Sequence, residues 1–116
     1  MANPPKSVSY LKQLVSAARA IVTYQVGLPF GCIRVRRILT WLRPHKELAY
    51  PVFDEYLKSV SELPISSERL RWSRDSLRET DKKLEAASRR FRDGIFEACY
   101  EIIDLYGKQS DDDAGS

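Results

Sequence analysis

The chain has 116 residues, of which 43% are hydrophobic and 30% charged, with a formal net charge of +3. That is one domain by size, with enough apolar residues for a core and too many charges for a membrane-embedded protein. The longest uncharged run, residues 20–33, is 14 residues and holds two glycines and a proline, short of the roughly 20 apolar residues of a spanning helix. The N-terminal "MANPPKSVSY" has no apolar stretch that would make an export signal.

Charge is unevenly distributed. Residues 1–46 contain eight Lys or Arg and no acid, leaving 11 basic and 16 acidic residues from Glu47 onward. The two halves either pack together and balance, or present a basic face to an acidic partner. Cys32 and Cys99 are far apart, with no C-x-x-C motif. A reducing, cytoplasmic location follows, although a bridge between the two is compatible with the sequence.

In chain order, helix 1 is expected from about Pro4, with Asn3 as a cap, or equally from Ser7, to Gln25. Val8, Leu11, Leu14, Val15, Ala18, Ile21 and Val22 form its buried stripe. Gly27 is expected to stop it in the left-handed conformation. Helix 2 runs from near Pro29 to just before Pro44, with Phe30, Ile33, Val35, Ile38, Leu39 and Leu42 inward. Arg34, Arg36, Arg37 and Arg43 occupy the remainder. Gly31 in its first turn suggests close approach of another backbone, since an interior glycine costs about 1 kcal/mol relative to alanine. Helix 3 begins near Pro51 and stops before Pro64.

The fourth helix is long. Ser73 caps it, Asp75 sits in its first turn, and Leu77, Leu84, Phe91, Ala98 and Leu105 recur every seven residues. Ile95 and Ile102 fill intervening positions, and Gly107 is the expected stop. At 1.5 Å per residue it reaches roughly 50 Å and overhangs the other three. Either it bends near Gly94 or residues 80–83, or helix 1 covers the excess, or a second chain does. The expected fold is an all-α bundle of four to five helices with one long C-terminal helix: a single domain over 1–108 and a disordered acidic tail over 109–116.

Chemistry is hard to find. His45 is the only histidine and sits in a turn. No Arg precedes it with four to six residues between, so the motif of helical HEPN-type ribonucleases is missing. Cys32 lies at the far end of its helix from His45 and has no base to activate it. One His and two remote cysteines do not make a metal site. Glu97, Glu101 and Asp104 share a helical face and read as solvated charge. "GLPFG" at 27–31 lacks the Lys-Ser/Thr of a phosphate loop. No catalytic residue, cofactor or metal is expected.

The stretch "ELPISSERLRWSRDSLRETD" at 62–81 combines a proline turn, arginines and a Trp. As a corner, it would bury Trp72 between helix ends while Arg69 bonds terminal carbonyls. As a surface, Trp and Arg are the types that most often dominate binding energy. The candidate partner-binding residues are therefore Arg34, Arg37, Arg69, Arg71, Trp72 and Arg74.

The chain also resembles a family of small bacterial all-helical proteins of unknown function. Ala18, Arg19, Ile21, Val22, Gly27 and Gly31 match one signature of that family; Leu63, Pro64, Arg69, Trp72, Leu77 and Asp81 match a second. Where the family has a glycine after its Leu-Pro, this chain has Ile65 and Ser66. The resemblance spans residues 17–103 and implies a small cytoplasmic helical domain; its motifs carry no known activity. The functional expectation is a non-enzymatic protein-binding module, in concrete form an immunity protein or antitoxin that blocks a bacterial toxin. One protein partner is expected, with the chain a monomer or homodimer. A nucleic-acid-binding regulator, or an enzyme with an unrecognised carboxylate site, are the alternatives.

Overall fold

The computed structural model describes residues 6–63 and 72–115, with side chains over 8–63 and 72–107. Among them are four helices and no strand: α1 (Lys6–Val22), α2 (Leu28–Leu42), α3 (Pro51–Ser59) and α4 (Arg74–Gly115). Each helix packs on its chain neighbours, and α4 closes the ring by lying along α1, the most extensive of the pairings. Residue pairs fix the directions. Tyr24 meets Phe96 while Arg19 and Val15 approach Gly107, so α1 and α4 are antiparallel. Val52 approaches Gly94 and Tyr56 bonds Ser88, which makes α3 and α4 antiparallel too. The result is an up-down-up-down four-helix bundle.

The core is built from Leu14, Ala17, Ala18 and Ile21 of α1, Cys32, Val35, Ile38 and Leu42 of α2, Phe53, Tyr56 and Leu57 of α3, and Ile95, Ala98, Cys99, Ile102 and Tyr106 of α4. Tyr56 is the largest fully buried side chain. Its hydroxyl meets the Ser88 hydroxyl at 2.9 Å, which satisfies a polar group that would otherwise cost stability in the interior. Its ring meets Phe91 edge-on at 5.9 Å. Ile95 and Ile102 are covered within one chain, so no second copy is needed for them.

Of the heptad row of α4, Ala98 alone reaches the core. Leu77, Leu84 and Phe91 are only half-buried, and Leu105 is 51% exposed. An α-helix drifts by about 20° per heptad against a seven-residue repeat. From Leu77 to Leu105 the row therefore turns about 80° away from the bundle, and Ile95, Cys99, Ile102 and Tyr106 take the inner positions. α4 also runs unbroken through Gly94 and Gly107, where the sequence predicts a stop at Gly107. Gly107 is buried beside Tyr106 and has no positive φ. A lone interior glycine costs only about 1 kcal/mol, too little to end a helix packed along α1, and each further backbone bond propagates an existing helix. The molecule is elongated, 56 Å by 26 Å by 23 Å, with a radius of gyration of 16.2 Å against about 13 Å for a compact chain of this size. This is the overhang expected of α4.

Helix ends follow local rules with one exception. Ser73 caps α4: its hydroxyl accepts the Ser76 amide at 3.2 Å, and Asp75 lies in the first turn. At the end of α1, the Tyr24 amide donates to the Ile21 carbonyl and the Gln25 amide to the Ala20 carbonyl. That is the two-bond Schellman pattern, with Tyr24 at the position glycine normally takes. Tyr24 has φ of 60°, the only positive φ among the described residues. Gly27, expected to be the stop, is instead extended and precedes α2. Holding a bulky residue left-handed costs roughly 1–2 kcal/mol. The Asn3 cap predicted for α1 lies outside the described residues.

Gly31 sits where α2 crosses α1. A Cβ there would lie 2.5 Å from Ile21 Cγ1 and 3.0 Å from its Cδ1, and Ile21 is buried. The close neighbour is thus a side chain seated on a bare backbone. Gly31→Ala should destabilise by about 1–3 kcal/mol through overpacking, despite alanine's better helix propensity, and lower the thermal midpoint by several degrees. An unchanged midpoint would show that Ile21 relaxes freely.

Candidate functional site

Arg34 and Arg37 lie on the exposed side of α2, whose buried side is Cys32, Val35, Ile38 and Leu42. Helical spacing places them in one stripe with Phe30 and Trp41, at i, i+4, i+7 and i+11. Phe30 is 50% exposed and Trp41 43% exposed. The sequence predicts Phe30 to face inward; it does not, because Leu28 and Gly31 occupy the inner positions of that turn. Trp41 is held at one edge by Tyr10 of α1, with ring centroids 5.6 Å apart. An outward stripe of aromatic–Arg–Arg–aromatic composition therefore runs the length of α2.

Trp72 and Arg74 stand at the entry to α4 and are exposed, Trp72 at 42%. Trp72 is therefore not the buried plug of the corner reading. The reason is geometric: α3 ends at Ser59, and the first turn of α4 is exposed apart from half-buried Leu77. α2 packs chiefly on α1 and α3, so Arg34 and Arg37 sit on a different helix from Trp72 and Arg74 at the entry to α4. Arg69 and Arg71 lie outside those residues.

The charge segregation of the sequence survives folding. Glu85 pairs with Arg89 within one turn of α4. Arg34, Arg36, Arg37 and Arg43 are exposed on α2 without a carboxylate partner there. Glu97, Glu101 and Asp104 are exposed on α4. The described core is apolar, while these α2 arginines and α4 acids face solvent on different helices.

The remaining reactive groups are inert or scattered. His45 is exposed near Tyr10. Cys32 and Cys99 are buried free thiols; burial pushes each up to about 12, and for Cys32 the nearby Cys99 adds to the rise. Such thiols are poor nucleophiles. Tyr50 is also pushed up to about 12, by burial first and then by Tyr106 and Glu101 beside it. No group of three His, Cys, Asp or Glu among the described residues is placed to hold a metal ion. No helix there is long and apolar enough to cross a membrane.

Two outcomes follow. Trp72→Ala should cost about 1 kcal/mol or less, as exposed substitutions do, and a loss of several kcal/mol in urea unfolding would instead mark it as packed. The thiols titrate near 9 when exposed and near 12 when folded. Raised folded values mean that their contribution to stability is complete below pH 9 and is lost as pH climbs from about 9 towards 12. Each thiol can remove up to about 1.4 kcal/mol per pH unit in that window. The urea midpoint of the native chain should fall there, with a shallower slope in a Cys32→Ala/Cys99→Ala variant; equal slopes would show that the thiols titrate alike in both states.

The chain matches no curated protein and no solved structure. A family described as a protein of unknown function (DUF2489) matches residues 5–102. That span covers α1, α2, α3 and the part of α4 carrying Ile95, Cys99 and Ile102, and so includes most of the bundle; the chain belongs to this DUF2489 family.

Proposed function

We propose that this chain is a non-enzymatic protein-binding module that recognises one acidic protein surface through the outer side of α2. In its concrete form it is a bacterial immunity protein or antitoxin that covers a toxin's active site. The single observation that carries the reading is the stripe of Phe30, Arg34, Arg37 and Trp41: two half-exposed aromatic rings flank two arginines that have no carboxylate partner among the described residues. Trp, Tyr and Arg supply most hot-spot energy in protein interfaces. Unpaired arginines also lose no existing ion pair when a partner's carboxylates arrive. The exposed acids of α4 argue against a polyanion that wraps the molecule, because they would repel it. Free buried thiols suit a reducing compartment, which fits a cytoplasmic setting. Trp72 and Arg74 form a separate exposed pair, available to a large partner but not required by the stripe.

The experiment is affinity capture with the native chain and with an Arg34→Glu/Arg37→Glu variant, whose exposed positions leave the fold intact. One protein should be retained by the native chain, weaken with rising salt because charge steers the association, and bind the variant at least tenfold less well. Recovery of nuclease-sensitive material in its place, or equal retention by the variant, would refute the reading.

A further inference from the structure

The turn joining α1 to α2 lies over the middle of α4 and closes one side of a cavity of about 320 Å³. Val26 and Leu28 give it apolar walls, Gly27 brings it to the start of α2, and Arg92 and Phe96 of α4 complete the opposite side. Tyr24 stands at this cavity with its side chain 75% exposed and its ring 5.8 Å from Phe96. None of these residues belongs to the stripe of Phe30, Arg34, Arg37 and Trp41.

Three features of this place are unexplained by folding alone. Tyr24 occupies the left-handed position of a Schellman turn, where glycine would serve with less strain. Because the ring is mostly in water, burial does not repay that strain, and strained, over-determined residues cluster at ligand sites. Arg92 has no carboxylate partner among the described residues, unlike Arg89, which is tied to Glu85. The start of α2 contributes Leu28 to the lining and carries no side-chain cap, with a dipole that favours an anion. An unpaired guanidinium and two aromatic rings thus line one cavity.

We propose that this cavity binds a small aromatic carboxylate. The ring would enter between Val26, Leu28 and the aromatic pair, and the carboxylate would meet the Arg92 guanidinium, whose planar fork matches two carboxylate oxygens. One guanidinium suits a single negative charge. The volume is at the small end of the usual 300–1,000 Å³ range for ligand sites, which fits one or two rings and excludes a dinucleotide. The same chemistry is presented by a free aryl-alkanoate and by the C-terminal aromatic residue of a peptide.

The test titrates the full chain with 3-phenylpropionate, with its neutral amide, and with an acetylated tripeptide ending in phenylalanine, free or amidated at its C-terminus. Binding is read from amide NMR shifts of Gly27, Leu28 and Phe96. Saturable shifts are expected with the carboxylates, at least tenfold weaker binding with the amides, and the same tenfold loss for carboxylates in Arg92→Gln. Tyr24→Gly should raise the thermal midpoint while weakening binding, a separation that a purely structural tyrosine would not produce. Tighter binding of the free peptide assigns a protein C-terminus, and tighter binding of 3-phenylpropionate assigns a small metabolite. Absence of saturable shifts with either carboxylate, or undiminished affinity in Arg92→Gln, would overturn the proposal, and neither result touches the α2 stripe.

Discussion

The seating of Ile21 on the bare backbone of Gly31 sets the geometry of this bundle. It brings α1 and α2 close enough that only residues 23–27 are needed to join them. So short a connection forces the chain to reverse at once, and the reversal falls at Tyr24 rather than at the glycine three residues later. The same approach fixes where the turn lies over α4, and hence what surrounds Arg92 and Phe96. A packing contact between two small regions of the sequence therefore determines both the helix pairing and the shape of the adjacent surface.

Much of this architecture was legible in the sequence. The stripes of α1 and α2, the prolines opening α2 and α3, and the Ser73 cap each encode a local preference that the fold keeps. The errors have a common physical origin. Leu105 was placed inward because a seven-residue repeat looks like a seam, yet a straight helix turns such a row away from its neighbours. Gly27 was taken for the stop because glycine adopts the left-handed state most easily, but the i→i−5 and i→i−3 bonds form where the packing of α1 ends. Trp72 fits either a buried corner or an exposed surface on sequence alone; it is exposed because no described helix reaches over the first turn of α4.

The candidate surface was half visible. Arg34 and Arg37 were identifiable as arginines on a helix with an apolar side. Phe30 was not, because an aromatic residue in an apolar run is assigned to the core by default, and Trp41 was legible only as an aromatic beside a run of arginines. The signal that would have recovered them is the i, i+4, i+7, i+11 spacing itself, read for the polar side of the helix. The segregation of basic and acidic residues was also visible, but its outcome was not. Opposite charges in the two halves could have met across an interface; the helices that carry them instead turn their charged sides outward.

The antiparallel pairing of α1 with α4 has a consequence for how the chain reaches its native state. These are the first and last helices, and they share the largest packing surface. Contacts such as Val15 with Gly107 span most of the chain, so they carry a loop-closure cost that the α1–α2 and α3–α4 hairpins do not. Local hairpins form rapidly and non-local pairings set the pace. During synthesis, α1 and α2 emerge with one side of the α1 stripe uncovered, and they stay so until the region around Ile95–Tyr106 has been made. The final core is therefore a late event, and a chain shortened before Ile102 loses the surface that closes the bundle.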